Sequence, residues 1–371
     1  MKSSFRVSLG TSLGVTVVAY FVLYAIIGTQ VSDLQSQVSG VLWEQSDAIN
    51  KKLSSQLDAF QAAISHNIED TRSRVVRITG TKQVQIEFTN PLDPQKIDTQ
   101  LGGGQGFLLS SDGYVLTNKH VVPDNKGIYT VEFTDSTKAT VESLWLDPFL
   151  DLAILKIKTP EAWSGIAKAD FVPRDTFALG QFLYRVSYSS TDPLGFGIAN
   201  LSSEFVRFGD KHFKPYIVFA QASKPGQSWS PVIGMNGKIL GLLTATDVAS
   251  QSYILPIDQS LLDISLLYIQ QFDSLDRPKL GIQYADVTQN TWYVTPSGGG
   301  IYVTEVYADS IAQKAGLEAG DVIFSINDIM ITPDVTFLSQ WLYVKPGDSI
   351  TFKILRNGDY TSTTLTLPQK Q

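Results

Sequence analysis

Three side chains spread along the sequence have the types needed for acyl chemistry: His120 in TNKHVV, Asp151 in DPFLDLAILKI and Ser228 in KPGQSWSP. A serine hydroxyl is a weak nucleophile until a base within hydrogen-bond reach takes its proton. An imidazole suits that task, and a carboxylate on its other nitrogen fixes the tautomer and stabilises the imidazolium that forms. Asp151 directly precedes LAILKI (152–157), a run apolar enough for burial on both faces. A carboxylate entering such a strand needs a hydrogen-bonding partner to offset its desolvation. Asp147, in the preceding DPF, reads instead as an ordinary turn residue. Pro225 and Gly226 supply a rigid turn followed by a permissive position. From there the N–H groups of Gly226 and Ser228 would form an oxyanion hole. The other two histidines, His66 on a polar helical stretch and His212 in the charged turn GDKHF, lack a comparable setting.

The rest of the chain must position these groups. Its 371 residues allow about two domains at roughly 100–200 residues each. Charged residues make up 18%, below the roughly 25% usual in soluble domains. The net charge is −7 with no basic tract, so nucleic acid is not an expected partner. The absence of cysteine removes disulfides, a thiol nucleophile and thiolate metal sites. There is no HExxH pair, so a zinc peptidase is excluded. No metal or organic cofactor is expected.

After Lys2 and Arg6, no charge occurs from Val7 to Val31, which is enough for the roughly 20 apolar residues of a spanning helix. Basic residues before the span favour a cytoplasmic N-terminus and an exported body. A cleaved signal peptide competes, but YAIIGTQ is a poor cleavage site, so residues 1–31 are expected to be a retained anchor. Residues 32–74 are helix-friendly. Their apolar positions (Leu34, Val38, Val41, Leu42, Ile49, Leu53, Leu57, Phe60 and Ile64) recur at spacings of three, four or seven. As heptads they are imperfect, with Ser46 and Gln56 on the seam, and both a self-associating stalk and a solvated spacer helix remain open.

Beyond Arg74 the texture changes to short apolar runs separated by Gly, Asp and Asn turns, the pattern of a β-barrel or sandwich. A polar loop is expected at NPLDPQKIDTQLGGG, a hairpin turn at Asn236-Gly237, a closing helix at 261–272 and a linker at 273–278. Residues 279–368 have their own mixed β/α texture, with a hairpin at Asn357-Gly358 and helices at SIAQKAG and TFLSQWLY. The division expected is 1–31 anchor, 32–74 stalk, 75–272 first globular domain and 279–368 second domain.

Three blocks, GQGFLLSSDGYVLTNKHVV, DPFLDLAILKI and KPGQSWSPVIGMNGKILGLLTA, resemble the signatures of trypsin-like serine proteases of the HtrA/Deg group. IYVTEVYADSIAQKAGLEAGDVIFSIND resembles their PDZ domain. The resemblance implies a mainly β fold: a chymotrypsin/trypsin-like double β-barrel followed by a PDZ domain, preceded here by a transmembrane helix and a helical stalk. It implies His120 as general base, Asp151 as its orienter and Ser228 as nucleophile, in an exported or anchored enzyme of a kind that often works as a trimer. The residues expected beside the substrate are Ala222, Trp229 and Tyr253. Trypsin-type pockets place a carboxylate six positions before the nucleophile; Ala222 stands there, which implies an apolar P1 preference. Leu280, Gly281 and Ile282 resemble the carboxylate-binding loop of PDZ domains, with a peptide strand added beside Ile282 and Tyr284 and Phe337 and Trp341 walling the groove. For Trp341 a plain core role is equally open.

The family usually reads PGNSGGP where this chain has PGQSWSP, so Trp229 and Ser230 replace two glycines. YRVSYSSTDPLGFGIANL also departs from the family, which has a Gly-Asn-Pro turn there. Two functions follow. One is an anchored serine endopeptidase acting in protein quality control on unfolded or damaged exported proteins. The alternative is a protease-fold pseudoenzyme serving as a tethered peptide-binding scaffold or chaperone.

Overall fold

The computed structural model describes residues 6–86, 95–173, 176, 178–188, 195–203, 216–219, 230–245, 252–287, 295–332 and 335–369. Met1–His66 and Asn67–Gln371 are two separate units. Helix α1 runs unbroken from Arg6 to Arg74, so the anchor and stalk, read as two segments, are one helix. No proline interrupts it, and isolated glycines such as Gly28 and Gly40 weaken a helix without ending it. Its N-terminal part is long and apolar enough to cross a membrane.

The first barrel contains β1 (Val75–Ile86), β2 (Gln95–Leu108), β3 (Tyr114–Thr117), β4 (Ile128–Glu132), β5 (Lys138–Leu146) and β6 (Ala153–Ile157). It closes in the order β1-β2-β3-β6-β5-β4. The apolar character of β6, broken only by Lys156, has a simple cause. Leu152 and Ile154 enter a core with Phe107, Leu116 and Phe171, while Ala153, Leu155 and Ile157 enter another with Ile78, Val115 and Val131. Alternate side chains therefore serve two cores. The expected polar loop before Gly102 is mostly strand, because β1 and β2 pair as a long hairpin from Val75↔Phe107 to Ile86↔Gln95. Backbone ladders do not require apolar side chains, so periodicity gave no sign of it.

The second barrel contains β7 (Phe182–Ser187), β8 (Gly195–Ser203), β9 (Tyr216–Phe219), β10 (Pro231–Gly234), β11 (Ile239–Ala245) and β12 (Ser252–Pro256). It closes in the order β10-β11-β12-β9-β8-β7 over Leu183, Leu201, Val232, Leu240, Leu243 and Ile254. Helix α2 (Gln259–Phe272) follows, with Asp258 accepting a bond from the Leu261 N–H at 2.8 Å as its N-cap. In the expected linker 273–278, Leu275 and Arg277 are each only 1% exposed.

The C-terminal domain contains β13 (Ile282–Val287), β14 (Gly300–Val306), α3 (Ile311–Lys314), β15 (Val322–Ile326), β16 (Ile329–Met330), α4 (Phe337–Trp341), β17 (Ser349–Arg356) and β18 (Asp359–Thr366). Its sheet order is β13-β14-β15-β17-β18, with β16 against β15, so β13 is an edge strand. Asn357 and Gly358, at φ +53° and +92°, make the expected hairpin turn. The helix expected over TFLSQWLY is shorter: Thr336 is its N-cap, accepting from the Ser339 N–H at 3.2 Å, and helix ends at Trp341. The following residues turn toward α2. Tyr343 Oη donates to Asp258, the Leu342 carbonyl accepts from Arg277 Nε at 3.0 Å, and Tyr268 Oη donates to the Val344 carbonyl at 3.3 Å.

Candidate active site

The register of β3 against β6 builds half of the site. Thr117 lies opposite Ala153. His120, three residues past Thr117 on a short 3₁₀ turn (Lys119–Val121), therefore meets Asp151, two residues before Ala153. Nδ1 of His120 lies 2.9 Å from Asp151 Oδ2, and the His120 backbone N–H donates to Asp151 Oδ1 at 3.1 Å. Asn118, fully buried, donates from Nδ2 to Asp151 Oδ2 at 3.2 Å. Burial opposes ionisation of Asp151, but the bonds and charge of His120, with Asn118, outweigh it and hold the carboxyl below the ordinary aspartate range. An ionised Asp151 places the ring proton on Nδ1 and leaves the Nε2 lone pair as the basic one. The imidazole side chain is 54% exposed and Asp151 36%, so the ring is held from behind and presented to the surface.

Asp147 fits the turn it was read as, but it does more. Its Oδ1 accepts from the N–H groups of Phe149 and Leu150 at 2.8 and 2.9 Å. Its Oδ2 pairs with Arg277 Nη1, and neither side chain has any solvent exposure. Lys119 Nζ donates to the Asp147 carbonyl at 2.9 Å. The turn bearing Asp151 is thus tied to the residue beside His120 and to the segment leading into the second domain. Asn118, Lys119, Asp147 and Arg277 were not read as site residues. Asn118 left a trace in the sequence as a polar residue at the end of the apolar YVLT; Arg277 left none.

Ser228, Gly226, Ala222 and Trp229 lie outside the described residues. Ser230 is described: it is fully buried, and its carbonyl accepts from the Leu243 N–H at 3.0 Å. The backbone of Tyr253 lies in β12 opposite Thr244 and Ile217. His66 is exposed on α1, and His212 lies outside the described residues.

A second site lies in the C-terminal domain. Gly281 has φ +81°, and a Cβ there would collide with Ser310, so only glycine fits. Leu280 is buried, and the Leu280 and Gly281 carbonyls accept from Ala312 and Tyr307 N–H groups, both at 2.9 Å. Beside this turn a groove of about 240 Å³ is lined by Leu280, Gly281, Ile282, Tyr284, Phe337 and Trp341, among others. Trp341 is both wall and core: it is 2% exposed, stacks on Phe337 at 5.7 Å, and donates from Nε1 to the Pro278 carbonyl at 3.0 Å. Phe149 of the Asp147–Asp151 turn also lines this groove.

Residues 104–242 match the trypsin-like peptidase domain family, and residues 278–367 match the PDZ domain family. The chain is 26% identical over 277 residues to the periplasmic serine endoprotease DegP of Escherichia coli K12, covering 72% of this chain and 57% of that protein. It is 28% identical over 279 residues to a probable periplasmic DegP-like endoprotease of Pseudomonas putida W619, covering 71% and 55%. The chain therefore spans little more than half the length of these relatives. The solved HtrA-type protease AlgW with decapeptide superposes with a TM-score of 0.61 at 21% identity, covering 83% of this chain and 99% of that one. The serine endoprotease from Yersinia pestis gives 0.53 at 20% identity, covering 83% and 98%. With a trypsin-like peptidase domain followed by a PDZ domain, and with relatives of this kind, the chain is similar to serine proteases of the HtrA/Deg type.

Proposed function

We propose that this chain is a membrane-anchored serine endopeptidase that cleaves unfolded or damaged exported proteins through an acyl-enzyme at Ser228. The observation that carries the reading is the 2.9 Å contact between His120 Nδ1 and Asp151 Oδ2, which supplies an oriented base on an exposed ring. Ser228 is the nucleophile, and the N–H groups of Gly226 and Ser228 stabilise the oxyanion. His120 takes the hydroxyl proton as the acyl bond forms and returns it to the leaving amine. Ala222 leaves the pocket floor uncharged, favouring an apolar P1 side chain beside Trp229 and Tyr253.

Residues 1–31 are the anchor with a cytoplasmic N-terminus, 32–74 the stalk, 75–272 the protease domain and 279–368 the PDZ domain. The body lies on the extracytoplasmic side, in keeping with relatives described as periplasmic, and works as a homotrimer. A peptide C-terminus binds along the edge strand β13, its carboxylate on the N–H groups of Leu280, Gly281 and Ile282.

A fluorophosphonate probe on the full-length chain tests the reading. Labelling that vanishes in Ser228→Ala supports it. An intact chain that takes no label points to the pseudoenzyme, for which the replacement of two glycines by Trp229 and Ser230 is the specific motive. In that case Trp229→Gly with Ser230→Gly restores labelling if the indole is the obstruction.

A further inference from the structure

The unit Met1–His66 carries an apolar stripe on α1. Ile27, Val38, Ile49 and Phe60 recur every eleven residues, and Val31, Leu42, Leu53 and Ile64 follow each of them by four. Seven of these eight are 49–65% exposed, and Ile64 is half-buried. Eleven residues make three turns at about 3.67 residues per turn, so an eleven-residue repeat keeps one stripe facing a partner with a slight right-handed supercoil. A seven-residue register through Val38 fails, since it puts Gln45, Lys52 and Ala59 on the seam. The stripe also avoids charge. Asp47, Lys51 and Asp58 project from the opposite face by the helical angle, and Lys51 pairs with Asp47 at 2.8 Å along its own helix.

We propose that residues 27–64 form a parallel, in-register, right-handed coiled coil with the other copies of this chain in its homotrimer. Each layer then meets its own image at the same height, which an identical copy provides without any matching stripe elsewhere. The membrane-crossing candidate lies at one end of the same helix, so copies inserted together point the same way. The area approaches that of a standard interface. Outside the charge-free span, Val38, Leu42, Ile49, Leu53, Phe60 and Ile64 face the seam. At the roughly 60–120 Å² implied for burying one such side chain, they remove about 350–700 Å² per helix. A standard specific interface takes about 800 Å² per partner. The inference is independent of the protease reading, since it uses no residue beyond Ile64.

The chain has no cysteine, so single cysteines report the seam directly. A disulfide needs Cα atoms within about 7 Å, which only seam positions reach. The full-length chain in lipid vesicles carries Ile49→Cys, Leu53→Cys or Phe60→Cys on the seam, and Asp47→Cys, Lys52→Cys, Asp58→Cys or Ala59→Cys off it. Mild oxidation is followed by counting covalent dimers. The expected result is dimer at 49, 53 and 60, and loss of it at 47, 52, 58 and 59. Maxima at 52 and 59, or cross-linking of Ser46→Cys and Gln56→Cys as strong as at 49 and 53, would replace the eleven-residue repeat with a heptad. Uniform or absent cross-linking along the helix would overturn the proposal. A trimer held by the globular bodies alone would give no such periodicity.

Discussion

Arg277 and Asp147 form an ion pair from which water is wholly excluded, and the arginine also donates to the Leu342 carbonyl and to Ser265 Oγ at 3.0 and 3.1 Å. One guanidinium thus joins the turn that bears Asp151, helix α2 and the end of α4. Removing one partner of such a pair strands a buried charge, at a cost of about 3–5 kcal/mol. Arg277→Met should lower stability by that order, read from denaturant unfolding of the detergent-solubilised chain. Asp147→Asn combined with Arg277→Met leaves no unpaired charge and keeps an oxygen for Phe149 and Leu150, so it should lose less than Arg277→Met alone. A larger loss in the double variant would contradict this account.

Asp151 acts on the proposed reaction through the ring it orients. Asp151→Asn should lower kcat by about 10⁴-fold, the effect expected when the orienting carboxylate of such a triad becomes an amide. Asn118→Ala removes only one of three bonds to that carboxylate, so kcat should fall far less, with KM unchanged. Peptide turnover by purified variants with matched melting temperatures would decide; equal losses would show that Asn118 does more than hold Asp151.

Burial pushes both Tyr184 and Tyr268 up to about 12. For a raised acid pKa, the folded state holds its proton after the unfolded chain, near 10, has lost it. Their contribution to stability is therefore complete below pH 10 and lost between about pH 10 and 12. Denaturant midpoints measured across that range should fall with rising pH, and Tyr268→Phe should flatten the slope. An unchanged slope would mean that the unfolding transition does not sense this hydroxyl.

Phe149 should matter to peptide binding although it lies outside the PDZ domain. In the full-length chain, Phe149→Ala should weaken binding of a peptide with an apolar C-terminal residue, measured by fluorescence anisotropy, and leave an amidated control unbound. Gly281→Ala should abolish binding of the peptide with the free carboxylate, because the new Cβ meets Ser310. If Gly281→Ala abolishes binding but Phe149→Ala does not alter it, the groove binds peptide without help from the protease-side turn.

The strands were legible because they carry the alternation and turn residues that burial and tight turns demand; that they make two barrels and a PDZ domain was implied by the resemblance to the HtrA/Deg group. Asn357-Gly358 and the double-faced LAILKI are the clearest instances. His120 and Asp151 could be paired because each stands at the end of an apolar strand, and the β3–β6 register then brings them together. Arg277 was hidden for the opposite reason. Two of its three partners are 130 residues back, at Asp147, and 65 ahead, at Leu342, and no local pattern marks a charge that will be buried. The β1–β2 hairpin was missed because its outer half pairs through the backbone under a sequence without regular alternation. The period of α1 was blurred because Leu57 and Val41 lie beside the stripe and imitate a heptad.

All three bonds that hold the Asp151 carboxylate come from Asn118 and His120, on the β3–β6 edge of the first barrel. The carboxylate that orients the base is thus held within the first barrel. A ring-directed alkylating agent should modify the resting protein at His120, whereas a hydroxyl-directed one reports the nucleophile loop alone. Comparing the two reagents would separate readiness of the base from readiness of the nucleophile in a single sample.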